Sequence, residues 1–204
     1  MQKHIIINVG RQFGSGGKAI ANELGAKLGI KVYDSELIAQ AAEESGISES
    51  LFHKIDEKKS FLKVGSIFGS RFGGFANSVL ADEDLFRIQS ETIRRIAQQG
   101  NAIFVGRASN YILRDMDECL DVFVCAPSEV RGARVAEREG IDIEDAKALV
   151  LRKDHTRKVF HNFFTCGENW GVACNYDLCV DSSILGIDKT ADFIIKFGRA
   201  AGKI

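Results

Sequence analysis

The sequence predicts an α/β protein in which a mostly parallel sheet is covered by helices. Short apolar runs alternate along the 204 residues with longer stretches whose apolar positions recur every three or four residues, the order that builds parallel strands joined by helical crossovers. A glycine-rich turn, Gly14-Ser15-Gly16-Gly17, joins the first apolar run to the first helical stretch. The length suits one domain with a substantial core.

In chain order, residues 5–9 (IIINV) form the first strand. Residues 16–28 follow as a helix, because Ile20, Leu24 and Leu28 stand four apart on one face and Gly29 ends the run. Residues 31–33 give a short second strand, and residues 35–44 a helix with Ser35 as its N-cap. Residues 82–99 repeat the helical period through Leu85, Ile88, Ile93 and Ile96 before Gly100, and residues 102–105 (AIFV) are the third strand. Residues 120–126 (LDVFVCA) are the fourth, followed at once by Pro127, the chain's one proline. Helices are expected over 128–138, 143–164 and 188–199, with a fifth strand over 177–180 (DLCV). Residues 63–77 (KVGSIFGSRFGGFAN), with four glycines, three phenylalanines and no period, read as a mobile excursion.

With 45% hydrophobic and 27% charged residues and a net charge of -1, the composition is that of a soluble globular protein. No charge excess points to nucleic acid or a membrane surface as partner. The apolar runs fall short of the roughly 18 residues a membrane span needs, and no leader pattern opens the chain, so a cytoplasmic location is expected. The five cysteines (Cys119, Cys125, Cys166, Cys174, Cys179) form no C-x-x-C pair and read as reduced, packed thiols. His53 and His155 each stand alone and read as surface or packing histidines, so no protein metal site is expected.

Strand, glycine-rich turn and helix make the layout of a phosphate loop, G-x-x-x-x-G-K-[ST]. The helix phase set by Ile20, Leu24 and Leu28 fixes the register. Gly16 takes the last glycine of the motif, Gly17 the lysine, Lys18 the Ser/Thr position and Arg11 the first glycine. The N–H groups of Gly14, Ser15, Gly16 and Gly17 remain able to cradle phosphate at the positive end of the helix. The missing lysine charge has two candidate sources, Lys18 and Arg11, and the Ser15 hydroxyl is a further donor.

The stretch GRQFGSGGKAIANELGAKLGIKVYDSELI, followed by IFVGRASNYILRD, VFVCAPSEVRGARVAEREGI, RKDHTRKVFHNFF and NYDLCVDSS, resembles the cytidylate kinase-like family of P-loop proteins, itself similar to the nucleoside monophosphate kinases. The resemblance covers nearly the whole chain apart from the Gly/Phe-rich segment. It implies a three-layer sandwich whose five-stranded parallel sheet has the order 2-3-1-4-5, forming one domain over 1–204 with an acceptor-binding insertion over 34–84 and a lid over 150–170. It also implies ATP with Mg2+ at the phosphate loop and a phosphate acceptor across the cleft. The implied activity is ATP-dependent phosphoryl transfer to a nucleoside monophosphate, with CMP or dCMP leading. Two other functions stay open, phosphorylation of another small molecule and nucleotide binding without turnover, because Gly17 and Ala108 depart from the pattern.

The resemblance also assigns roles. Asp34, at the end of the second strand, either meets the acceptor or orients magnesium through water; its alternative is to cap the next helix. Arg107 matches the arginine that grips the acceptor phosphate, while Ala108 stands where cytidylate kinases proper carry aspartate. Arg131, Arg134 and Arg138, at i, i+3 and i+7, share one helix face that is either solvated or, through Arg131, turned to the nucleotide. In the lid, Arg152 and Arg157 close over the triphosphate, and Asp154 faces the acceptor. Phosphoryl transfer depends on positioning and positive charge, so Lys18, Arg107, Arg152 and Arg157 are the catalytic candidates. Trp170 is expected to pack against the sheet edge, with Asn175 and Asp181 near the adenine or the base of the lid.

Overall fold

In the computed structural model, described over residues 4–46 and 79–204, the chain runs β1 (Ile6–Arg11), α1 (Gly17–Leu28), β2 (Val32–Tyr33), α2 (Ser35–Glu44), α3 (Val79–Gln99), β3 (Ala102–Val105), α4 (Ser109–Ile112), β4 (Cys119–Cys125), α5 (Ser128–Glu139), α6 (Ile143–Phe164), a 3-10 turn (Ala173–Asn175), β5 (Leu178–Asp181) and α7 (Ser182–Ala200). The five strands pair in parallel in the order β2-β3-β1-β4-β5, as expected.

Period-two alternation along the strands divides the core into two layers. Ile7 and Val9 of β1, Ile103 and Val105 of β3, and Leu120, Val122 and Val124 of β4 face α1 and α7 through Ile20, Leu24, Ala191 and Ile194. Ile6, Ala102, Phe104 and Cys119 face the opposite way, onto Ile38 of α2, Ile93 and Ala97 of α3 and Ile112 of α4. Each such isoleucine or leucine, fully withdrawn from water, stabilises the fold by about 2 kcal/mol before entropy is counted. Gly25 lets α1 lie close on β2, since a Cβ there would stand 2.5 Å from Val32 Cγ2 and 2.8 Å from the Ile30 carbonyl oxygen.

Differences from the expected elements occur where pairing or capping overrides pattern. β1 runs two residues further, because Gly10 pairs with Phe123 and Arg11 with Val124, which makes Arg11 the last residue of a strand. α2 is capped by Asp34, not Ser35. α7 starts at Ser182, six residues early, with Asp181 accepting from the Ser183 N–H at 2.7 Å, and then breaks at Gly186 (φ 74°, ψ 179°) before continuing. All five cysteines are free; Cys119 is buried as expected, but Cys166, Cys174 and Cys179 are exposed. Among the described residues no helix is long and apolar enough to cross a membrane. His53 and residues 63–77 lie outside the described residues, as does most of the insertion expected over 34–84.

Candidate active site

The glycine-rich turn lies at the carboxyl end of β1, where open parallel sheets bind ligands. Gly14 (φ 77°) and Gly16 (φ 81°) both take left-handed backbone, which side chains resist. A Cβ on Gly14 would also stand 2.8 Å from the Arg131 carbonyl oxygen. The start of α1 has no side-chain cap and no acid in its first turn, whereas α2, α6 and α7 are capped by Asp34, Asp142 and Asp181. Its first-turn N–H groups and the helix dipole are therefore available to an anion. Ser15 differs from expectation: its buried hydroxyl donates to the Gln12 carbonyl at 2.9 Å.

Two helices brace this turn from behind. Asp154 of α6 accepts from the Phe13 N–H at 2.6 Å and pairs with Arg131 of α5 at 2.5 Å. Arg131, only 6% exposed, also donates to the carbonyls of Ala126 (2.9 Å) and Phe13 (3.1 Å). Arg134 donates to the Ser15 carbonyl at 3.2 Å and to the Ser182 hydroxyl at 3.0 Å. The structure thus places Arg131 and Asp154 against each other and against the backbone of the turn. The guanidinium carbons of Arg138 and Arg157 lie 5.1 and 5.3 Å from the centroid of the Phe13 ring.

Cations converge in front of the turn. Arg157 donates to the Arg11 carbonyl at 3.3 Å. Burial, reinforced by the charges of Arg157 and Arg107, pushes the Arg11 guanidinium down to about 9, against the opposing pull of Asp34. Burial also holds Arg157 below its ordinary value and Arg107 down to about 10. Lys18 points elsewhere: its ammonium lies 2.7 Å from Asp34 and its side chain is 64% exposed. Asp34 meanwhile accepts from the N–H groups of Glu36 and Leu37, both at 3.1 Å. Burial works against the Asp34 carboxylate, but Lys18 and these amides outweigh it and hold the carboxyl below its usual range.

The turn offers magnesium no side-chain hydroxyl at the usual position. The residue in the hydroxyl position is Lys18, it is bonded to the nearest candidate carboxylate, and among the described residues no three His, Cys, Asp or Glu side chains gather as a metal site.

Arg107 occupies a strained turn. Gly106 (φ 70°), Arg107 (φ 63°) and Ala108 (φ 54°) are consecutive left-handed residues, a conformation that costs a side-chain-bearing residue about 1–2 kcal/mol. Gln89 of α3, wholly buried, holds it: its amide oxygen accepts from Arg107 Nε at 2.5 Å and its amide nitrogen donates to the Arg107 carbonyl at 3.1 Å. The Arg107 guanidinium lies over the Phe160 ring of α6 at 4.5 Å. Sequence reading missed Gln89, whose one signal is a long amide beside Ile88 on the helix face that carries the apolar period. Arg152 is exposed on α6, apart from these groups, and His155 is exposed as expected. Trp170 packs edge-on against Phe123 (5.4 Å), Asn175 donates to the Asn169 carbonyl (3.0 Å) and Asp181 caps α7.

A five-stranded parallel sheet of this order, with a glycine turn and uncapped helix at the carboxyl end of its central strand, defines the class of the P-loop kinases. A gluconokinase from Sinorhizobium meliloti shares the fold, with a TM-score of 0.54 over 98% of this chain and 95% of that one at 10% identity. Residues 6–184 match the cytidylate kinase-like family, and the chain belongs to it. The cytidylate kinase of Methanopyrus kandleri is 27% identical over 199 residues, covering 91% of this chain and 89% of that protein. An uncharacterized protein from Eubacterium ventriosum has a crystal structure with a TM-score of 0.73 and 28% identity, covering 96% of this chain and 98% of that one.

Proposed function

We propose that the protein transfers the terminal phosphoryl group of ATP to a nucleoside monophosphate, with CMP or dCMP as acceptor. The observation that carries this reading is Arg11, whose stem lies against Gly17 at the uncapped start of α1, whose carbonyl accepts from Arg157 and whose guanidinium reaches Gly106 beside Arg107. The charges of Arg157 and Arg107 add to burial in holding the Arg11 guanidinium below its ordinary value, and a polyphosphate is a ligand that offsets such crowding of cations. Relatives named cytidylate kinases supply the choice of acceptor.

In this reading the turn amides hold the donor phosphates, and Arg107, fixed by Gln89, binds the acceptor phosphate. Arg157 neutralises charge on the phosphoryl group in flight. The bond from the γ-phosphorus to its bridging oxygen breaks as an oxygen of the acceptor phosphate bonds to that phosphorus, yielding ADP and a nucleoside diphosphate. Little covalent help is needed in such a loose transition state, and one well-placed arginine accelerates transfer by roughly 10³ or more. The test is ADP release by the purified protein with Mg-ATP and, one at a time, CMP, dCMP, UMP, AMP and small sugar or acid acceptors. CMP- or dCMP-dependent ADP is the expected outcome. ADP with a different acceptor redirects the substrate, and tight ATP binding without turnover makes the protein a nucleotide binder.

A further inference from the structure

We propose that Arg11 is the cation of the phosphate loop, entering from the end of β1 and occupying the space from which the usual lysine side chain would start. This deepens the reading of the turn as an ATP site and rests on it. The common motif has glycine at position 11 and lysine at position 17; this chain has the reverse arrangement, a long cation at Arg11 and no side chain at Gly17.

The structure explains the exchange. A Cβ on Gly17 would stand 2.5 Å from Arg11 Cβ and 3.0 Å from Arg11 Cγ, so the Arg11 stem and any side chain at position 17 exclude each other. The stem then runs to the end of β3, where a Cβ on Gly106 would collide with the guanidinium itself. Two glycines therefore make a channel for one arginine, and the extension of β1 by pairing with β4 fixes where that arginine begins. The guanidinium ends at Gly106, the residue next to Arg107, whose charge acts on it.

Its electrostatic setting agrees. The charges acting on Arg11 are those of Arg157, Arg107 and Asp34, and Asp34 is bonded to Lys18 at 2.7 Å. A guanidinium among other guanidiniums gains most from an added anion, and its planar donors suit two phosphate oxygens at once. Lys18, the other candidate, is directed to Asp34 and to solvent.

The test compares Mg-ATP binding by isothermal titration calorimetry for the unaltered protein, Arg11→Met, Lys18→Met, Gly17→Lys and the exchange Arg11→Gly with Gly17→Lys, each first checked for folding by thermal melting without nucleotide. Arg11→Met should weaken binding at least tenfold, and more than Lys18→Met does. Gly17→Lys alone should bind poorly, because its side chain meets Arg11, and the exchange should restore affinity to within a few-fold of the unaltered protein. If Arg11→Met binds as tightly as the unaltered protein, or if Lys18→Met loses more, the assignment to Arg11 is overturned while the nucleotide site stands. Should Arg11→Met not fold, the exchange decides, and its failure to bind while folded refutes the assignment. An unaltered protein that does not bind Mg-ATP removes the nucleotide reading and this inference together.

Discussion

Replacing Asp121 with asparagine should make the protein more stable at neutral pH and leave it unchanged in acid. Asp121 lies in β4 directly beside Asn8 of β1, whose amide nitrogen donates to it at 2.8 Å. Burial pushes the Asp121 carboxyl up to about 6 from 3.8; Asn8 pulls it down, Asp177 raises it, Lys203 lowers it and Glu168 raises it again. A carboxyl whose folded value lies above its unfolded value costs nothing below pH ~4, where both states hold the proton. As pH rises from ~4 to ~6 the unfolded state ionises first, so stability falls through that window and stays lower above it. At 1.36 kcal/mol per pKa unit the full shift corresponds to ~3 kcal/mol. A cleft of about 300 Å³, lined by Asn110, Arg114, Asp121 and Tyr176 among others, lets water screen the charge. That screening reduces the expected gain to ~1–2 kcal/mol. The amide of Asp121→Asn also brings a donor toward Asn8 Oδ1, a buried oxygen with no hydrogen-bond partner among the described residues. Urea unfolding at pH 7.5 should show the variant more stable by that amount, and at pH 4 the two curves should nearly coincide. A variant less stable at pH 7.5, or equally shifted at both pH values, refutes the reasoning.

Asp154→Ala strips Arg131 of its carboxylate inside the brace, and removing one partner of a buried pair costs about 3–5 kcal/mol; an unchanged urea midpoint would count against the brace. Gln89→Leu removes the two hydrogen bonds between Gln89 and Arg107, of which the one from the charged Nε is worth about 1.5–3 kcal/mol and the one to the carbonyl about 0.5–1.5 kcal/mol. The KM for CMP should therefore rise about tenfold or more with the KM for Mg-ATP little changed, and equal changes in both would show that Gln89 does not act through Arg107. Gly25→Ala should lower the melting temperature, because overpacking against Val32 and Ile30 costs about 1–3 kcal/mol and exceeds the ~1 kcal/mol that alanine contributes in a helix. A rise in melting temperature would mean that α1 shifts freely.

Much of the sheet was legible because its strands are short apolar runs between glycines, and residues 102–105 and 143–164 coincide with β3 and α6. The four-residue α4 and the 3-10 turn were not legible, since neither spans enough residues to display a period. Pairing partners are likewise invisible in one sequence, which is why the last two residues of β1, Arg11 among them, read as loop. The glycine-rich turn was legible from its glycines, but the sorting of the arginines around it was not. Arg131, Arg134 and Arg138 share a helix stripe, yet Arg131 is buried against Asp154 whereas Arg138 lies over Phe13 and pairs with Glu139 at 2.8 Å. That distinction depends on α6 packing across α5, a long-range contact that periodicity along α5 does not record.

α6 also links the two ends of the cleft mechanically. Asp154 grips the glycine-rich turn through the Phe13 N–H, and Phe160, six residues on, supports Arg107. Six residues of helix are a rigid strut of about 9 Å. A sliding or tilting of that strut which shifted Asp154 against the turn would shift Phe160 beneath Arg107 as well, so the two ends of the sheet edge move through one lever.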